Sequence, residues 1–308
     1  MREGIAASGV GAWSVLGPLA QRRPAGLFRR FCRNRAGAVG LAVIAALIFV
    51  AAFARYLAPY DPYQPIADVG GQVVQYQDPS LRHWLGTDTL GRDLLSRLIY
   101  GTRVSLEVGL AATLFTVVIG VVIGSLAGYA GGWVDVVLMR LTDVILAFPI
   151  VVLLIALSTI MRPTLIGVIV TIALVFWTRT ARIVRGEFLR LREMPFVHAA
   201  VASGASSPRI VVRHILRNTV SPIVVDATLR VAYAVLLEAT LSFLGIGLQE
   251  PTPSWGRMLI SATSLSVLSE KPWLWLAPGV AIILTVLAIN FVGDALRDAL
   301  DPTLQQLR

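Results

Sequence analysis

Apolar residues in this chain come in long, nearly unbroken stretches. Six stand out, at roughly 39–57, 104–130, 136–160, 165–178, 222–248 and 276–296. A helix that crosses the hydrocarbon core of a bilayer needs about 20 predominantly apolar residues. Backbone polar groups left bare in hydrocarbon are costly, so a lipid-exposed segment of this kind folds as a helix. The pattern therefore predicts an all-α polytopic membrane protein with six transmembrane helices, the fourth short for a span. Helical periodicity shows only between the stretches. In 83–103, Gly86 and Asp88 suggest a turn, and Leu90, Leu94, Leu95, Leu98 and Ile99 then share one helical face. Gly101 fits a C-terminal cap. This segment reads either as an amphipathic helix on the outer membrane surface or as a connector anchoring the second span.

Composition agrees with a membrane class: 56% of the 308 residues are apolar, only 15% are charged, and the mean hydropathy is +0.73. The net charge of +9 is unevenly spread. Residues 1–38 hold seven Arg and one Glu, and 179–221 hold eight Arg and two Glu. By contrast, 55–103 balances five Arg with five Asp, and 249–275 balances Arg257 and Lys271 with Glu250 and Glu270. Basic residues flank alternate loops, which orients the chain and argues against nucleic acid. The amino terminus, 131–135, 179–221 and the carboxyl terminus are expected in the cytoplasm, and 58–103, 161–164 and 249–275 outside. The domain organisation follows: a tail over 1–38, a first span over 39–57, an outer loop over 58–103, a core over 104–300 and a tail over 301–308. The long basic tail, with no A-x-A-like site following the first stretch cleanly, makes that stretch a retained anchor rather than a signal peptide. Within the tail, "AGLFRRFCRNR" (25–35) reads as a basic interfacial helix or as a plain positive-inside flank.

Catalytic chemistry is hard to find. Lys271, the only lysine, lies between Glu270 and Pro272, so no G-x-x-x-x-G-K-[ST] loop exists. "GIGLQE" (245–250) lacks the third glycine of a dinucleotide loop. Cys32 is the single cysteine, and His83, His198 and His214 are not spaced as ligands, so neither a disulfide framework nor a metal site is expected. No catalytic residues are assigned.

Charges at span depth are expensive and need a partner or water. Arg140/Asp143 at i,i+3 and Asp226/Arg230 at i,i+4 can pair on their own helices, although Asp226 and Arg230 are also translocation-pathway candidates. Glu238 has no local partner and reads as a polar position facing a cavity or as a buried interhelical hydrogen bond. Gly120, Gly124 and Gly128 repeat every four residues and form a small-residue face for close helix packing. Pro149 should kink the third span.

The segment 179–221 divides at Gly204. Pro195 can open a short helix, "PFVHAAVASG", that is small or apolar over most of its surface. Two or three turns of this kind are unstable alone in water, so the helix must bury itself against something, and a groove on a cytoplasmic partner fits. Ser207 reads as an N-cap with Pro208 as the first helical residue. Arg209, Arg213 and Arg217 then form a basic stripe facing lipid phosphates or an acidic partner. Ser221–Pro222 repeats the device where the fifth span begins.

"HAAVASGASSPRIVVRHILRNTVSP" (198–222) resembles the EAA-type loop of permease subunits in binding-protein-dependent ABC importers. "WLGTDTLGRDLLSRLIYGTRVSLEVG" (84–109), "GGWVDVVLMRLTDVILAFP" (131–149) and "LEATLSFLGIGLQEPTPSWGRML" (237–259) are similar to the C-type permease of the dipeptide/oligopeptide/nickel branch. The resemblance implies a type I ABC importer permease fold in a bacterial inner membrane. It implies a coupling helix formed by Pro195, Phe196, Val197, His198, Ala199, Ala200 and Gly204, with His198 standing where the family usually has Glu. It further implies a second, homologous permease, two ATP-binding subunits or one fused ATPase carrying ATP and Mg, and an extracytoplasmic substrate-binding protein. No cofactor is expected on this chain. Peptides are the implied cargo, with nickel chelates and glutathione-like molecules as alternatives. A channel or ATP-independent carrier, an exporter and a membrane scaffold are the competing classes.

Overall fold

A computed structural model of the chain describes residues 31, 34–67 and 71–300. The expectations for the 25–35 helix, Cys32 and the C-terminal tail fall wholly or largely outside these residues. Every long element is a helix. Two isolated bridges, Ala67 with Val73 and Thr87 with Asp93, are the only β pairings among the described residues.

Helix α1 (Arg35–Ala52) starts at Asn34, whose side chain accepts a hydrogen bond from the Gly37 N–H. A single turn, α2 (Ala54–Leu57), ends it. A long connector leads to α3 (Leu94–Ala130), capped by the Asp93 carboxylate on the Ser96 N–H. Gly131, at φ +65°, turns the chain into α4 (Gly132–Ala147). Next come α5 (Ile150–Ile160), α6 (Leu165–Arg192) and the short α7 (Pro195–Ala202). Helix α8 (Ser207–Phe243) includes a π-helical stretch, Ile210–Leu216. The remaining elements are α9 (Trp255–Met258), a 3₁₀ turn (Leu259–Thr263), α10 (Leu265–Glu270) and α11 (Trp273–Leu300).

Among the described residues five helices (α1, α3, α6, α8 and α11) are long and apolar enough to cross a membrane, and the bent pair α4–α5 makes six if it counts as one span. The third stretch is thus more than kinked: its two halves meet at 95°. Proline has no N–H and forces the preceding residue out of the helical region, and Phe148 sits at φ −86°, ψ 143°.

Other expectations are corrected as well. No separate surface helix exists over 83–103. Its turns are the start of α3, which at 37 residues is about 55 Å long. Gly101 caps nothing and lies within α3, where an added Cβ would come 3.2 Å from Trp255. The fourth span does not stop near 178. Arg179, Arg182 and Arg185 lower the local hydropathy, but Val184, Phe188 and Leu191 keep an inward face, so α6 continues to Arg192. Finally, Ser221–Pro222 starts nothing: Pro222 lies inside α8, and the cap of α8 is Ser206, one residue before the expected Ser207.

The glycine face of α3 packs on α6. Cβ atoms placed on Gly120, Gly124 and Gly128 would lie 2.6 Å from Thr180 Cβ, 2.5 Å from the Ala181 carbonyl and 2.5 Å from Phe188 Cβ respectively. Gly109 makes a similar approach to Val235 of α8. The largest core joins α3, α6 and α8 through Val108, Ala112, Ile172, Phe176 and Leu241, with Leu248 closing one end. Helix α1 lies against α11, with Gly37 and Gly40 meeting Ala295 and Ala288. The bundle therefore has two working ends. One carries 58–93 and 244–272; the other carries α7.

Candidate functional site

Helix α7 has two different sides. Val197 is 2% exposed and packs with Val184, Phe188, Leu191, Ile210 and Ile215. Met194 and Ala200 flank this contact at i,i+3 spacing. The opposite side is open: Phe196 is 41% and Val201 56% exposed, and Pro195, His198, Ala199 and Ala202 are also exposed. The helix therefore does not hide wholly against a partner. Its own bundle offers a groove for one side, built by the extension of α6 and the π stretch of α8. Gly204 ends the helix at φ +76°, a conformation that favours glycine. The residues predicted for coupling thus divide. Val197 and Ala200 root the helix, while Phe196, His198, Ala199 and Gly204 are on its surface.

Glu238 lies in α8 and is fully buried. Its Oε2 accepts a hydrogen bond from Ser105 Oγ of α3 at 3.0 Å, and its Oε1 accepts from Ser242 Oγ at 2.8 Å. The Ser254 hydroxyl also bonds to it. Each serine oxygen in turn accepts a backbone N–H: Trp255 on Ser105, Leu248 on Ser242 and Arg257 on Ser254. Since each hydroxyl has one proton, accepting at oxygen leaves that proton for the carboxylate. Among the described residues Glu238 is thus fully enclosed. It is the hub of a closed network that fastens 244–257 to α3 and α8.

Asp226 and Arg230 pair as the spacing predicts, at 2.7 Å, and Thr180 of α6 also donates to Asp226 at 2.8 Å. Arg140 and Asp143 do not pair. Asp143 takes Arg182 of α6 at 2.5 Å, and Asp135 takes Arg185. The α4–α6 cross-links won because α6 extends far enough to present its arginines to α4.

Sequence reasoning missed a charged group at the opposite end. Asp88 accepts Arg92 at 2.7 Å and Arg97 at 3.3 Å, while Glu250 takes Arg92, Arg97 and Arg257 at 2.5, 3.3 and 3.4 Å. Burial pushes the Glu250 carboxyl up. The hydrogen bond from Arg92 and the charges of Arg97, Arg92 and Arg257 outweigh this and hold it below the usual carboxylate range. The network lines a cavity of 280 Å³. Beside it, His83 Nδ1 lies 3.0 Å from Asp93 Oδ1 and its ring packs on Tyr60. Asp88/Arg92 at i,i+4 was a local signal. Glu250, 158 residues from Arg92, offered none.

Two family models match the chain: the binding-protein-dependent transport system inner membrane component over residues 120–306, and the N-terminal TM domain of oligopeptide transport permease C over 25–79. The chain is 41% identical over 280 residues to the dipeptide transport system permease protein of Alkalihalophilus pseudofirmus, covering 90% of this chain and 89% of that one. It is 43% identical over 283 residues to the glutathione transport system permease protein of Pectobacterium atrosepticum, with 90% of each covered. Among solved structures, an inward-facing MetNI methionine ABC transporter superposes with a TM-score of 0.54 at 19% identity, over 68% of this chain and 98% of that one. This last likeness concerns the fold.

Proposed function

The chain belongs to the inner membrane components of binding-protein-dependent transport systems, and from that premise we propose that it is the C-type permease of an ATP-driven importer of short peptides. In this reading it pairs with a second, homologous permease, and two ATPase domains, separate or fused, bind ATP and Mg. A substrate-binding protein delivers cargo at the 58–93/244–272 end, which faces outward, and α7 and both termini face the cytoplasm. Relatives named for dipeptide and for glutathione transport support peptides as the cargo class, since glutathione is itself a short peptide.

One observation carries the coupling role. Helix α7 is rooted in the bundle by Val197 and Ala200, yet leaves Phe196, Ala199 and Val201 uncovered. An uncovered apolar knob of two turns is costly in water, and a groove in an ATPase would bury it. Because its inner side packs on α6 and the start of α8, displacement of α7 moves both helices. A change of access then requires that the ATPases hold α7 differently in their open and closed states. Arg209, Arg213 and Arg217 are exposed beside it and suit lipid phosphates at the same membrane face.

The test is uptake of a labelled dipeptide into proteoliposomes holding the four-part complex. Ala199→Arg puts a long charged chain on the exposed side and leaves the Val197 root untouched. Uptake should fall to background while the bundle stays folded and ATP hydrolysis persists. Parent-level uptake by this variant would refute docking through α7.

A further inference from the structure

The cavity at the other end has no part in the coupling just described. Five charged side chains line it: Asp88, Arg92, Arg97, Glu250 and Arg257. Three are cations and two are anions, so this lining carries one positive charge in excess. The two carboxylates are already shared. Asp88 serves Arg92 and Arg97, and Glu250 serves all three arginines. Arg92 and Arg97 are nearly closed off, with side chains 5% and 2% exposed, whereas Arg257 is 21% exposed. Among the described residues the Arg257 side chain pairs with Glu250 alone, at 3.4 Å. Its guanidinium has five N–H donors in a planar fork that matches a carboxylate.

We propose that this cavity receives an acidic side chain of the extracytoplasmic delivery protein, with the Arg257 guanidinium as its main partner. The inference rests on the importer reading above, which supplies the delivery protein and places this end outside. Charge decides the class of occupant. One carboxylate neutralises the excess, whereas a zwitterionic peptide would also bring an ammonium to carboxylates that are already occupied. A fork held against Glu250 is pre-organised, as arginines that dominate binding surfaces tend to be.

The test is binding of fluorescent delivery protein to the assembled complex in nanodiscs at low and high salt. Arg257→Gln should raise Kd about tenfold and flatten its salt dependence. Ser261→Tyr fills the lining without touching the five charges and should weaken binding similarly. It also carries the test if Arg257→Gln fails to assemble. Lys271→Gln, whose partner is Asp78 outside the lining, should bind like the parent. Parent-like affinity in both Arg257→Gln and Ser261→Tyr would overturn the site. So would direct binding of free dialanine to the parent that is lost in Arg257→Gln, because the cavity would then belong to cargo. A parent complex that binds no delivery protein overturns the importer reading itself, and that outcome is seen without any variant.

Discussion

Two glycines of similar helical setting should respond oppositely to the same added methyl. Gly124 lies on the α3 face against α6. A Cβ there would sit 2.5 Å from the Ala181 carbonyl and 2.8 Å from Val184 Cβ, against 3.4–4 Å for ordinary contact. Two of the obstructing atoms are backbone, so no side chain can swing aside, and the helices must part by roughly 1 Å to restore contact distances. Overpacking of this kind costs about 1–3 kcal/mol, and alanine returns only about 0.5–1 kcal/mol of helix propensity. Gly124→Ala should therefore destabilise by up to about 2.5 kcal/mol, with a centre of about 1 kcal/mol. Gly186 lies in α6 with nothing within 4 Å of its Cβ position, so Gly186→Ala should stabilise by the full ~0.5–1 kcal/mol. The assay is thermal inactivation of the purified complex, ranked by half-life at one temperature because unfolding of such assemblies is commonly irreversible. If both variants shift the half-life in the same direction, the α3–α6 packing described here is wrong.

Glu238→Ala strips the shared acceptor from three serine hydroxyls, at about 1–3 kcal/mol for each group left unsatisfied. Limited proteolysis should then cut within 244–254 faster than in the parent. Val197→Asp puts a charge into the contact beneath α7 and should release the helix, read as faster hydrogen exchange over 195–204 with little change in α11. Glu250 titrates lower in the folded protein than in the unfolded chain, so its stabilisation is present above pH about 4.3 and is lost as pH falls through its lower folded value. Glu250→Gln should therefore lower stability at neutral pH and blunt the further loss seen when the parent is acidified below about pH 4. An unchanged acid profile would contradict the network geometry.

Hydropathy made the helical class legible because bilayer solvation constrains whole stretches rather than single residues. The glycine spacing of α3 was legible for a related reason, since small residues four apart must share a face. Limits appeared where a tertiary partner decided the outcome. Hydropathy fell at Arg179 and Arg182, yet α6 continued because Val184, Phe188 and Leu191 keep a buried face against α7 and the start of α8. Pro222 looked like a helix start, but α8 had already begun at Ser207. Glu238 lacks a local partner only if charges alone are considered, whereas Ser242 at i+4 bonds to it and Ser105, 133 residues away, completes the contact from α3. In α7 the two sides could not be told apart by pattern. Val197 and Val201 are the same residue type, and only the bundle beneath them decides which is buried.

The most direct test of the central claim is a cross-link across the proposed joint. With Cys32 replaced, Phe196→Cys on the exposed side of α7 should join an engineered cysteine in the ATPase groove, and Val197→Cys should not. The Phe196→Cys bond should form in the assembled complex and lock uptake until it is reduced. If no bond forms with cysteines placed around the groove, and the Phe196→Cys thiol reacts with a water-soluble maleimide as readily in the complex as in the isolated chain, α7 does not dock and the account fails.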